Sequence, residues 1–149
     1  MTSTKIRGGT VVSATGQRRA DLLVEDGRIG AIGELDRGGH EIDAGGMLIL
    51  PGMVDTHVHL MDPGDTDRED FVHGSSAAAA RGVTTLVEHT HSHPIRSVDD
   101  LEEKRRHLTG RANVDFGLAA HVWPDRVGEI ESLVGAGITF FKIFTCTTH

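Results

Sequence analysis

The residues with the most chemistry to offer are a set of imidazoles and one amine. Asp55-Thr56-His57-Val58-His59 places two histidines two positions apart in an apolar run. On a strand, residues i and i+2 leave the same face. His57 and His59 can therefore converge on one metal ion, with Asp55 behind them. Neutral imidazole suits zinc and similar divalent ions. The competing reading is two histidines on a half-exposed strand. The apolar strand followed by the polar turn Met61-Asp62-Pro63-Gly64 favours the metal. Lys142 lies in Ile138-Thr-Phe-Phe-Lys-Ile-Phe-Thr145. Burying a charged lysine is costly, and burial favours the neutral amine. A neutral amine can add carbon dioxide to give an anionic carbamate, whose two oxygens suit a bridge between metal ions. The alternative is a lysine that snorkels to the strand rim or pairs with a carboxylate.

A third cluster is Glu88-His89-Thr90-His91-Ser92-His93-Pro94. An extended chain would put His89, His91 and His93 on one side, as a second metal site. Ser92 and Pro94 mark a turn, which favours a polar loop lining a pocket without holding metal. His121, near the end of a later strand, is either a pocket residue or a structural one. Cys146 reads as a small packed residue rather than a nucleophile, and the sequence has no Gly-x-Ser-x-Gly elbow. His73 and His107 fall on helices and read as surface residues.

These groups need elements to position them, and the chain has two textures. Residues 1–50 read as all-β. Ile6 to Val12 is β-rich, and Ala20–Glu25, Asp26-Gly27 and Arg28–Ile32 form a hairpin pattern with Asp-Gly as its turn. Glu41–Ala44 and Met47–Leu50 continue as short strands. After Pro51-Gly52 the pattern alternates. Strands are expected at Met53–His59, Val83–His89, Val114–Val122 and Ile138–Thr145. Helices are expected at Asp67–Arg81, from the capping box Ser97-Val98-Asp99-Asp100 to Leu108, and at Asp125–Val134. This β-α-β-α-β-α-β order implies a parallel sheet, either doubly wound or a (β/α)8 barrel. No Gly-x-Gly-x-x-Gly follows the first of these strands, so a dinucleotide fold loses ground.

Composition narrows the partners. The 149 residues carry 15 Lys and Arg against 22 Asp and Glu, a formal charge of −7, with no basic block. That argues against nucleic acid and anionic membrane. The amino terminus has no apolar h-region, and Met47–Val54 is far too short to span a bilayer. One cysteine allows no internal disulfide, so a reducing compartment, the cytoplasm, is expected.

Pro51-Gly-Met-Val-Asp-Thr-His57-Val-His59 resembles the first barrel strand of the cyclic amidohydrolases, which include dihydropyrimidinases, hydantoinases, allantoinases and dihydroorotases. Gly8-Gly-Thr-Val-Val12, Ala20 to Ile29 and Ile42-Asp-Ala-Gly-Gly46 resemble the strands that precede that barrel. Gly82-Val-Thr-Thr85 is similar to its second strand, and Phe141-Lys142-Ile143-Phe144 to the strand with a carbamylated lysine. The resemblance implies an α/β fold: residues 1–50 as part of a small β-sandwich, and residues 51–149 as the first half of a (β/α)8 TIM barrel. It implies two divalent metal ions, zinc by family habit. His57 and His59 would hold one, and a carbamate on Lys142 would bridge to the other. A metal-bridged hydroxide would open a cyclic amide or ureide of hydantoin, dihydropyrimidine or allantoin type. His91, His93 and His121 would face the substrate. The family's two further histidines and its proton-shuttling aspartate would lie beyond residue 149, so this chain alone is expected to be incomplete and inactive. A homo-oligomer is implied by the relatives. Met61 stands where dihydroorotases carry an arginine, which counts against that branch. Two other classes compete: a non-catalytic relative acting as a structural or regulatory oligomer, and a small metal-binding module built on His89, His91 and His93.

Overall fold

A computed structural model describes residues 3–36, 38–89 and 91–145. Cys146 and His149, and with them the expected role of the cysteine, lie outside the described residues. The chain divides into two compact units, Met1–Pro51 and Gly52–His149.

The first unit holds β1 (Ser3–Arg7), β2 (Thr10–Ser13), β3 (Gly16–Arg19), β4 (Asp21–Glu25), β5 (Arg28–Gly33), β6 (His40–Asp43) and β7 (Leu48–Ile49). They form two sheets, in the orders β5-β4-β1-β6 and β3-β2-β7. The expected single run from Ile6 to Val12 is two strands in different sheets. Gly8, with φ of 72°, turns the chain between them, and its amide donates to Asp21 Oδ1 at 2.9 Å. The Asp-Gly hairpin is present: Asp26 and Gly27 have φ of 50° and 77°, the left-handed pair that a tight antiparallel turn requires.

The second unit alternates strand and helix: β8 (Met53–Val58), α1 (Phe71–Ala80), β9 (Val83–Glu88), α2 (Val98–Leu108), β10 (Asp115–His121), a 3-10 turn at Pro124–Glu129 running into α3 (Ile130–Gly135), and β11 (Phe140–Lys142). Ser97 caps α2 by accepting from the Asp100 amide at 3.2 Å, and Asp100 Oδ2 in return accepts from the Arg96 amide at 2.9 Å. Helix α1 begins four residues later than its acidic lead suggests. Asp70 is the cap, accepting from the His73 amide at 2.8 Å, and Phe71 is fully buried behind it. Leu60, Phe71, Leu86, Ile95, Leu101, Leu108, Leu118 and Leu133 belong to one core cluster. Burying each such side chain is worth about 1.5–3 kcal/mol.

The four strands lie in the order β11-β10-β9-β8, and all three pairings are parallel. Each new strand joins the same growing edge, with no reversal of the kind that marks a doubly wound sheet. Curvature distinguishes the two folds further. On a flat sheet, β8 and β11 would stand about 14 Å apart, three strand spacings. Yet Lys142 Nζ of β11 lies 2.9 Å from His57 Nε2 of β8. Side chains from the outer strands meet because the sheet curls, as barrel strands do.

Candidate metal centre

The site forms where the carboxyl ends of the four strands converge. His57 is the penultimate residue of β8, and its own amide donates to Asp55 Oδ1 at 3.1 Å, which fixes the strand end locally. The His57 and His59 rings meet edge to face with centroids 5.2 Å apart. His59 Nδ1 donates to the carbonyl of His89. That bond sets the tautomer: the proton is on Nδ1, so Nε2 carries the lone pair. His57 presents its own Nε2 to Lys142. Both imidazoles thus offer the same nitrogen. Lys142 is half-buried rather than enclosed, and its ammonium lies 5.3 Å from the centre of the Phe144 ring.

Three further histidines join this group. His89 stacks on His57 at 4.2 Å between centroids, and its Nε2 donates to the Thr56 carbonyl at 2.9 Å. His91 meets His59 edge to face at 4.9 Å. His121 stands beside Lys142 on the neighbouring strand as its register partner, and packs against Phe144 at 5.3 Å. Burial pushes the His89 imidazolium pKa down, and the charge of nearby His57 and Lys142 adds to the effect. His121 is pushed down further, to about 4, first by burial and then by the cationic Lys142 and its histidine neighbours. The His121 ring is therefore neutral at physiological pH, and burial favours the neutral form of His89. His89 Nδ1 and His121 Nε2 are buried without a hydrogen-bond partner among the described residues.

His93 is not brought into this group. Its Nδ1 donates to the Pro63 carbonyl at 3.1 Å, and the residue lines a separate cavity of about 250 Å³ with Arg96, Asp100, Glu103 and His107. His73 is on the surface, paired with Asp70. His107, expected on the surface, reaches back to the buried Asp62 at 2.6 Å.

Beneath the site lies a charged layer that the pattern reading missed. Asp62 is 1% exposed and accepts from His107 Nε2, from Arg111 Nη2 at 3.0 Å and from the Phe71 amide at 3.2 Å. Burial alone would raise its pKa, but these donors together bring it below the usual carboxylate range. Lys104 of α2 pairs with Glu88 of β9 at 2.7 Å, both buried. Burial pulls the Lys104 pKa down, against the opposing pull of Glu88. The signal was available: Leu101, Lys104 and Leu108 share one helical face, and that face is buried.

The amidohydrolase family profile matches residues 48–121. An allantoinase from Rubrobacter xylanophilus is 43% identical over 147 residues, covering 96% of this chain and 32% of that protein. The solved L-hydantoinase (dihydropyrimidinase) from Arthrobacter aurescens superposes with a TM-score of 0.83 at 33% identity, over 95% of this chain and 32% of that one. The chain belongs to the cyclic amidohydrolase superfamily. A D-hydantoinase from Geobacillus stearothermophilus, 37% identical over 150 residues, and the dihydropyrimidinase structure from Brevibacillus agri, TM-score 0.85 at 32% identity, agree. The chain spans about a third of the length of the curated relatives it matches. Its second unit is the opening part of their (β/α)8 barrel.

Among the described residues, no three His, Cys, Asp or Glu side chains already have the geometry to hold a metal ion. The donors that do converge are two imidazoles and an amine. Their chemistry fits a metal with one further anionic ligand, which a carbamate on the amine would provide.

Proposed function

We propose that this chain supplies the first metal half-site of a hydrolase that opens a cyclic amide or ureide at a C–N bond, of hydantoin, dihydropyrimidine or allantoin type. One observation carries the reading: His57 Nε2 and Lys142 Nζ, from the two outermost strands of the sheet, meet at 2.9 Å beside His59. In this reading residues 1–50 are part of a β-sandwich and residues 51–149 the first half of the barrel. His57 and His59 would hold one divalent ion of the zinc type. On adding carbon dioxide and losing a proton, the Lys142 amine would become a carbamate, an anionic ligand for a second ion. When bound, such a pair supplies a nucleophile at neutral pH and polarises the ring carbonyl.

The chain's own residues do the rest. Asp55 holds the His57 backbone, and the His89 carbonyl holds the His59 tautomer. His91 and His121, with Phe144, form the wall that a small planar ring would meet, and His93 stands farther out on the adjoining loop. A wall of imidazoles suits a ring that carries both N–H and C=O groups, because a ring nitrogen can donate or accept a hydrogen bond. The enzyme is proposed to be a cytoplasmic homo-oligomer. No helix among the described residues is long and apolar enough to cross a membrane.

The test is a chimera in which residues 1–149 replace the matching third of the Rubrobacter allantoinase, purified with zinc and bicarbonate. Two metals per chain, with turnover of allantoin, hydantoin or dihydrouracil, are expected, and both are expected to fall in Lys142→Ala. Two metals retained in Lys142→Ala would refute the carbamate bridge.

A further inference from the structure

We propose that His89 is a positioning residue that sets the orientation of both imidazoles, His57 and His59; this rests on the metal-binding reading above. Residue 89 touches the Thr56-His57-Val58-His59 segment at four points. Its amide donates to the Val58 carbonyl at 2.8 Å. Its carbonyl accepts from His59 Nδ1. Its Nε2 donates to the Thr56 carbonyl at 2.9 Å. Its ring lies on that of His57 at 4.2 Å with an interplanar angle of 25°.

The two main-chain contacts need no particular side chain at position 89. The two side-chain contacts do. The hydrogen bond to Thr56 anchors the imidazole, since a carbonyl can only accept and Nε2 must carry the proton. The anchored ring then closes one side of His57, leaving its Nε2 directed at Lys142. A ligand held in a single rotamer loses less side-chain entropy when it coordinates. Partners that orient a ligand typically account for about 10- to 100-fold in metal affinity.

Cobalt(II) added alone to the full chain is the probe, because its visible absorption bands report the number and kind of ligands. His89→Ala is expected to weaken cobalt binding about 10- to 100-fold with the band positions kept. His89→Phe keeps a ring against His57 without the donor, and His89→Gln keeps a donor for Thr56 without the ring. Each is expected to restore part of the loss, which a general packing defect would not produce. Wild-type affinity in His89→Ala with native circular dichroism would overturn the proposal. So would a band shift typical of a lost nitrogen ligand, which would make His89 a ligand itself. If His89→Ala does not fold, His89→Phe and His89→Gln decide. Weakened binding in both with native dichroism supports the role, and wild-type binding in both overturns it. The underlying reading fails separately: cobalt affinity unchanged in His57→Ala and His59→Ala, or absent from the wild type, would remove the metal centre and the positioning role with it.

Discussion

Replacing Lys104 with methionine is the sharpest probe of the layer beneath the site. The Lys104 ammonium and Glu88 carboxylate are 2.7 Å apart, with side chains 4% and 0% exposed. Methionine keeps most of the buried stem, so the change is chiefly the loss of the charge. Glu88 would then keep a carboxylate in the interior without its ammonium. Breaking a buried pair in this way costs about 3–5 kcal/mol. With a urea m-value of about 2 kcal/mol/M, the unfolding midpoint should fall by roughly 2 M. Replacing both partners, Lys104→Met with Glu88→Leu, removes the stranded charge and should recover most of the loss, because well-packed apolar substitutes for a buried pair are often neutral or stabilising. Urea titrations of the wild type, both single variants and the double variant close a double-mutant cycle. A Lys104→Met midpoint close to wild type, or a double variant no more stable than Lys104→Met, would refute the reasoning.

Two further outcomes follow from particular contacts. Asp62 has a folded-state pKa below its unfolded value, so in acid the unfolded chain binds more protons and stability rises with pH. Its contribution should be fully present above the ordinary aspartate range, about 4, and disappear as pH falls through the lower folded value; Asp62→Asn should be less stable at pH 7 and should flatten this acid limb, and an unchanged limb in urea titrations from pH 2 to 6 would contradict the assignment. A Cβ on Gly52 would lie 2.1 Å from Thr84 Oγ1 and 2.7 Å from Thr84 Cβ, a clash that rotating the threonine cannot relieve, so Gly52→Ala should cost about 1–3 kcal/mol, and a wild-type thermal midpoint would show that the two segments part easily.

The pattern of elements was legible because local rules and tertiary structure agree there. Val83-Thr-Thr-Leu-Val is β-branched and lies in β9, and Ser97 with Asp100 marks the start of α2. The boundaries were less legible where several residues could play one part. Asp67, Glu69 and Asp70 can all open a helix, and what selects Asp70 is the burial of Phe71 and its amide bond to Asp62, a contact nine positions away in sequence. Pro124 and Gly128 split the last helical segment into a 3-10 turn and α3. At the site, the pairing of His57 with His59 was expected from strand spacing, and the place of Lys142 beside them from the family resemblance. His89 was read as the end of a strand and the first of a histidine cluster, and no spacing rule reports that its ring lies on His57. That depends on how two strands are registered, which one strand's pattern does not contain.

That register also explains why the site sits where it does. From Asp55↔Leu86 to Val58↔Glu88, β8 advances three residues while β9 advances two. One extra residue on β8 is a bulge, a device that re-aims side chains and breaks the regular ladder. Thr56 and His57 lie inside it. The Thr56 carbonyl bonds to the His89 side chain, and the His57 amide to Asp55. Both groups are satisfied by side chains rather than by the neighbouring strand. A regular ladder would bond these groups strand to strand and hold His57 in strict alternation. The irregularity frees them for side chains that aim His57 at Lys142. The bulge and the His89 clamp are therefore one arrangement. A substitution at His89 should loosen the strand end locally, and a change that regularised β8 should misdirect His57 even with His89 in place.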